Sequence, residues 1–208
     1  MLTVGLIGAG RIGRVHASTI VQDEGSQLVA VADSVDENAK NLAKLYKVNP
    51  RSVDAIFEDN SIEAILIASS TDTHSDFIEK ASIAGKAILC EKPVDLSLAR
   101  AKRCLENTKS NEHSIMMGFN RRFDPNFVAL KKALDGGEIG TAELLSITSF
   151  DPAPPPIDYV KVSGGIFKDM MIHDFDMANF LYGELPKSVF VSASAIIDKK
   201  IGVLGDYD

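Results

Sequence analysis

The residues best suited to chemistry fall in a few short stretches. Near the amino terminus, Gly8-Ala9-Gly10-Arg11-Ile12-Gly13 forms a G-x-G-x-x-G run after an apolar segment and at the start of a helical pattern. A dinucleotide-binding turn requires that context. Gly8 permits the tight turn, Gly10 lets a pyrophosphate approach the backbone, and Gly13 allows close helix–strand packing. The phosphates then meet free N–H groups and the positive end of the helix dipole, beside Arg11 and Ile12. Arg11 either flanks the cofactor or points into solvent. Asp33 lies 20 residues past Gly13, at the end of the second apolar run. A carboxylate there accepts from both adenosine ribose hydroxyls and repels a 2′-phosphate. Ser34 and Val35 follow, with no Arg or Lys to hold such a phosphate, so the pattern selects NAD over NADP.

Asp169 and His173 are 4 residues apart in a helical pattern that runs to about Tyr182 and is closed by Gly183. That spacing puts both on one face. Met171, Phe175, Ala178 and Leu181 form the other, core-facing stripe. A neutral imidazole, with an ordinary pKa of about 6.5, is suited to take a proton near neutrality. Asp169 can orient that ring or hold its positive charge. Lys92 directly follows a strand, at the carboxyl edge of the sheet, where ligands bind in such folds. Its ammonium can polarise a reacting oxygen and stabilise a developing alkoxide, and Pro93 stiffens the turn that aims it.

These groups need elements to position them. Leu2–Gly8, Gln27–Asp33, Ile62–Ala68, Ala87–Cys90 and Ser114–Met117 read as strands. Arg11–Val21, Asp36–Tyr46, His74–Ala84 and Leu96–Lys109 read as helices. The alternation predicts an α/β fold: a doubly wound parallel sheet with right-handed crossovers and helices on both faces. After Gly118 the pattern changes. Pro125–Gly136 reads as a helix and Ala142–Phe150 as a strand. Asp151-Pro152-Ala153-Pro154-Pro155-Pro156 is a stiff connector, Ser163-Gly164-Gly165 opens the helix that holds Asp169 and His173, and Val189–Ile197 reads as a further strand. Two strands and two helices are thin for an independent core.

Composition bounds the function. A hydrophobic content of 45% with 25% charged residues excludes a wholly disordered chain. The net charge of −7 argues against a general binder of nucleic acid or anionic membrane. No apolar run approaches the roughly 18–20 residues of a membrane span. Met1 is followed at once by a strand, with no cationic leader or cleavage site. Cys90 and Cys104 form no C-x-x-C, so reduced thiols in a cytoplasmic protein are expected. Cys90 reads as a small buried hydrophobe. His16 and His113 do not cluster with carboxylates at ligand spacing, and no metal is predicted.

Several motifs together resemble the glucose–fructose oxidoreductase / inositol dehydrogenase (Gfo/Idh/MocA) family, with inositol 2-dehydrogenases the nearest kind. They are Gly8 to Ala17, Thr71-Asp72-Thr73-His74, Cys90-Glu91-Lys92-Pro93, Gly118 to Asp124, and Gly164 to Asp174. The resemblance spans the chain with the motifs in family order. It implies an NAD-binding Rossmann domain over residues 1–120, followed over 121–208 by the beginning of an α+β domain with a mainly antiparallel sheet. It also implies a cyclic polyol or sugar substrate, most closely myo-inositol, and a homo-oligomer. The reaction implied is oxidation of a ring secondary alcohol, with hydride passing to the nicotinamide and the hydroxyl proton to a base. The positions matching the family's catalytic groups are Lys92, Asp169 and His173.

Within that frame Ser70, Thr71 and His74 line the cofactor crevice, although His74 can equally cap its helix. Glu91 lies near the nicotinamide ribose. Asn120 and Arg122 offer donors to the polyol or cofactor, while Arg121 and Arg122 can equally be surface charges. Asp151 and the proline run form one wall of the sugar pocket. Two alternatives stay open: a non-catalytic dinucleotide-binding or regulatory protein, and a dehydrogenase of another sugar derivative.

Overall fold

Runs of Val, Ile, Leu and Ala become strands where parallel neighbours bury both of their faces. The computed structural model describes residues 1–110, 114–204 and 206–207, so His113 lies outside the described residues. The chain divides into two units, Met1–Gly118 and Phe119–Asp208.

In the first unit, strands β1 (Leu2–Ile7), β2 (Ser26–Ala32), β3 (Asn49–Pro50), β4 (Ala64–Ile67), β5 (Ala87–Cys90) and β6 (Ile115–Met117) form one sheet in the order β3-β2-β1-β4-β5-β6. Every pair is parallel. Helices α1 (Arg11–Gln22), α2 (Asp36–Tyr46), α3 (Val53–Glu58), α4 (Thr71–Ile83) and α5 (Leu98–Thr108) make the connections. This is the doubly wound dinucleotide-binding order, which reverses direction between β1 and β4.

Alternation along the central strands feeds two cores. Leu6, Leu28, Val31 and Leu66 pack with Ala17, Ile20 and Leu42 on one face. Ile7, Ile65, Ile67 and Ile88 pack with Ile56, Ile78 and Cys104 on the other. Burying each such aliphatic side chain stabilises the fold by about 1.5–3 kcal/mol. Pro50 sits in an edge strand, where its missing N–H breaks no central ladder. No described helix is long and apolar enough to cross a membrane.

The sequence reading passed over β3 and α3. Ser52 was the available signal: its side chain caps α3 by accepting from the Ala55 N–H at 3.2 Å. The α4 helix starts at Thr71 rather than His74, so Thr71 to His74 form its first turn.

The second unit departs further from expectation. It contains a 3₁₀ turn (Asn120–Phe123) and helices α6 (Pro125–Asp135), α7 (Ile157–Ser163), α8 (Gly165–Asp169), α9 (Ile172–Tyr182) and α10 (Lys199–Val203). The expected strands Ala142–Phe150 and Val189–Ile197 do not form among the described residues. A strand persists only when a ladder satisfies its backbone, and neither segment pairs in the described sheet topology. Leu144 and Phe150 stay 90% exposed and Phe190 92%. The described residues of this unit contain no strand.

The single helix expected up to Tyr182 is also broken. The Met171 N–H donates to the Ile166 carbonyl at 2.8 Å, five residues back, which closes α8 and resets the phase of α9. Asp169 and His173 consequently belong to two successive helices rather than to one. The buried side of α9 carries Asp176, Met177 and Leu181, while Phe175, expected in the core stripe, is exposed.

Candidate functional site

In the first unit the candidate site begins with the fingerprint loop. Gly8 has φ +105° and lies buried, and a Cβ there would stand 2.3 Å from the Ala68 carbonyl oxygen. A Cβ on Gly13 would stand 1.9 Å from the Gly8 carbonyl oxygen, so the first turn of α1 lies directly on the loop. Around Gly10 the direction of a Cβ is open, with nothing within 4 Å. Gly10 is also the N-cap of α1 and places no side chain over the helix end. Arg11 is exposed and Ile12 half-buried beside it.

Asp33 follows β2 and is already oriented. Its carboxylate accepts from the Ala9 N–H at 2.6 Å and the Val35 N–H at 2.8 Å, with the Asn38 side-chain amide at 3.5 Å. Backbone bonds from Gly8 to Ala32 (2.8 Å) and from Ala68 to Ile7 (2.7 Å) join the ends of β1, β2 and β4. An uncapped helix start, an open face above Gly10 and a fixed carboxylate at the β2 end fit the pyrophosphate and ribose of NAD.

Further residues emerge at the same carboxyl edge. Ser70 caps the start of α4 by position and Thr71 opens the helix. Glu91 and Lys92 follow β5, and both are half-buried. The Lys92–Pro93 peptide is cis. His16, on α1, donates from Nε2 to a Glu91 carboxylate oxygen at 2.7 Å. Burial pushes the Glu91 carboxyl up. The His16 bond and charge and the neighbouring Lys92 outweigh this and hold it below the usual carboxylate range. Gly118 makes room: a Cβ there would stand 3.0 Å from Glu91 Oε2. Sequence reasoning set His16 apart from carboxylates because 75 residues separate the pair.

His74 is placed differently from expectation. It is 1% exposed, and its ring nitrogens face main-chain carbonyls, Nδ1 to Pro93 at 2.8 Å and Nε2 to Ser69 at 3.1 Å. It stands at the fourth position of α4, and the N-cap of that helix is Ser70. Cys90 is buried, which pushes its thiol well up and leaves it an unreactive core group.

The remaining residues singled out by the sequence lie in the second unit. Asp169 ends α8 and accepts from the Tyr159 hydroxyl at 2.9 Å. His173 lies in the first turn of α9, edge-on to the Phe119 ring at 6.4 Å between centroids. Arg122 forms a fork on the Asp176 carboxylate, Nε at 2.8 Å and Nη2 at 2.5 Å, with its guanidinium over the Phe119 and Phe180 rings. That engagement ties the 3₁₀ turn to α9.

Arg121 pairs with Asp174 at 2.5 Å, and Ser149 donates to the same carboxylate oxygen at 2.7 Å. Beside them lies an open concavity of about 600 Å³, walled by Asn120, Arg121, Phe123, Phe150, Asp151 and Met170. Asn120 and Asp151 thus share one hollow. No group of three or more His, Cys, Asp or Glu at metal-holding geometry occurs among the described residues.

Residues 2–119 match the oxidoreductase family with an NAD-binding Rossmann fold, and residues 127–206 match the GFO/IDH/MocA C-terminal domain. An inositol 2-dehydrogenase of Rhizobium meliloti is 52% identical over 204 residues, which cover 98% of this chain and 62% of that protein. The crystal structure of a myo-inositol dehydrogenase from Corynebacterium glutamicum superposes with a TM-score of 0.92 at 40% identity, covering all of this chain and 62% of that one. A scyllo-inositol dehydrogenase from Lactobacillus casei, solved with bound NAD(H) and scyllo-inositol, gives a TM-score of 0.87 at 27% identity, covering all of this chain and 64% of that one. The chain therefore spans a little over three-fifths of the length of these relatives.

Proposed function

The chain belongs to the Gfo/Idh/MocA oxidoreductase family, and we propose that it acts as an NAD-dependent dehydrogenase of a cyclic polyol, with myo-inositol as the leading substrate. The first unit is the NAD-binding domain. Gly8, Gly10 and Gly13 shape the phosphate turn, with Arg11 and Ile12 at its helix start, and Asp33 accepts from the adenosine ribose. Ser70, Thr71, Glu91 and Asn120 complete the cofactor contacts.

Bound NAD supplies the hydride acceptor. The protein's own residues handle the proton and the charge. His173 takes the hydroxyl proton as general base. Asp169, itself held by Tyr159, carries the charge of the resulting imidazolium. Lys92 stabilises the oxygen as it turns towards alkoxide. Asp151 and Asn120 offer polar groups to a ring of hydroxyls.

The observation that most supports this reading is the fixed Asp33 carboxylate at the end of β2, bonded to the Ala9 N–H of the glycine turn. A cytoplasmic location and a homo-oligomeric assembly belong to the same proposal. The buried free thiols Cys90 and Cys104 suit a reducing compartment. The exposed apolar residues Val189, Phe190, Ile196 and Ile197 offer surface for further association.

The test is NADH formation by the intact protein across a panel of cyclic polyols. Turnover with at least one of them is expected. Calorimetric NAD binding without turnover of any polyol would instead identify a non-catalytic dinucleotide binder.

A further inference from the structure

Lys92 is bracketed by two tethers of its own main chain. On one side, the Glu91 N–H donates to the Ile67 carbonyl at 2.9 Å, at the end of β4. On the other, the Pro93 carbonyl meets His74 Nδ1 at 2.8 Å. The second nitrogen of His74 meets the Ser69 carbonyl at 3.1 Å, so one ring joins the loop after β5 to the loop after β4. The next residue repeats the connection. The Ser75 hydroxyl donates to Asp95 at 2.7 Å, and Asp95 accepts from the Ser97 N–H at 2.8 Å.

His74 is 1% exposed and Ser75 1%. A carbonyl oxygen can only accept, and a neutral ring carries one N–H, so such a ring donates to one of these two carbonyls at a time. A buried imidazole is an expensive way to hold a loop unless the placement matters.

We propose that His74 is a positioning residue for Lys92. By holding the Pro93 carbonyl, it fixes the direction in which the Lys92 side chain leaves the β5 edge. This rests on the reading of Lys92 as the group that stabilises the developing alkoxide. It goes beyond that reading by assigning the aim of the ammonium to a buried residue on α4.

Three variants of the intact protein separate the two tethers. Asn places an amide nitrogen near the position of Nδ1, so His74→Asn keeps a donor for Pro93 and loses the Ser69 bond. Gln reaches towards the position of Nε2, so His74→Gln keeps Ser69 and loses Pro93. His74→Ala loses both. Two readouts are taken: kcat and KM for the polyol, and the acetylation rate of Lys92 by acetic anhydride, followed by peptide mass mapping.

The Gln and Ala variants are expected to lose up to about 10²-fold in kcat with KM little changed, the scale of a small misplacement at a reacting centre. Their Lys92 acetylation rate should shift several-fold, and Asn should restore both quantities towards wild type. Equal Lys92 reactivity in the Asn and Gln variants would overturn the assignment even if the Ala variant fails to fold. A wild type inactive on every polyol, with Lys92 reactivity still separating Asn from Gln, would overturn the polyol reading and uphold the positioning role.

Discussion

His16 on α1 and Glu91 at the end of β5 are joined by a 2.7 Å hydrogen bond, so the helix that carries the glycine fingerprint is tied to the segment that carries Lys92. Both side chains are largely buried, at 21% and 17% exposure. Glu91 is held below the ordinary carboxylate range. A carboxyl lowered by folding contributes stability that is complete above its unfolded pKa of about 4.3 and is lost as pH falls through the folded value. Glu91→Gln should therefore flatten the acid side of the stability curve, at and below about pH 4. Urea midpoints across a pH series measure this. An unchanged acid slope would contradict the pairing.

The two glycines of the fingerprint should fail in different ways. Gly13→Ala drives a methyl against the Gly8 carbonyl, 1.9 Å from its oxygen, so either α1 or the loop must move. A loss of a few kcal/mol is expected, about the range for overpacking. Gly10→Ala adds a methyl to open space at φ −69°, which alanine tolerates. Its melting temperature should stay near wild type while NAD binding weakens by tenfold or more, about 1.4 kcal/mol. Paired thermal melts and calorimetry decide it, and a Gly10 variant with wild-type NAD affinity would remove the phosphate assignment.

The first unit was largely legible in the sequence, and the reason is local. β4 (Ala64–Ile67) and β5 (Ala87–Cys90) are short apolar runs, and alternation of such runs with helical patterns leaves few topologies. The edge strand at Asn49–Pro50 escaped because two residues, one of them proline, carry no strand pattern. In the second unit, Ala142–Phe150 has strand-forming residues but no described ladder partner, and pairing decides a strand more than propensity does. The break between Asp169 and His173 escaped because Met170 and Met171 are good helix formers; the Ile166–Met171 bond that ends α8 is set by the turn itself. The pairs His16–Glu91 and Arg122–Asp176 join residues 75 and 54 positions apart, a range at which one sequence carries no pairing signal.

Arg122 offers a test of structure against substrate contact. Asp176 is 8% exposed, and the Arg122 fork is its charged partner. Arg122→Met should leave a buried carboxylate without that partner and destabilise the second unit by about 1–3 kcal/mol, the cost of an unsatisfied buried group. Asp176→Asn in the Arg122→Met background should recover part of that loss. A variant with wild-type stability but a raised polyol KM would return Arg122 to the substrate site.

His173 is proposed to take the hydroxyl proton. That role is tested most directly by NADH formation from NAD and myo-inositol in the intact protein, compared between wild type and His173→Ala with NAD affinity measured in parallel. The expected result is wild-type turnover that falls by about 10²–10⁴-fold in the variant, the usual share of a positioned base, with NAD affinity unchanged. Turnover by His173→Ala at the wild-type rate would contradict it.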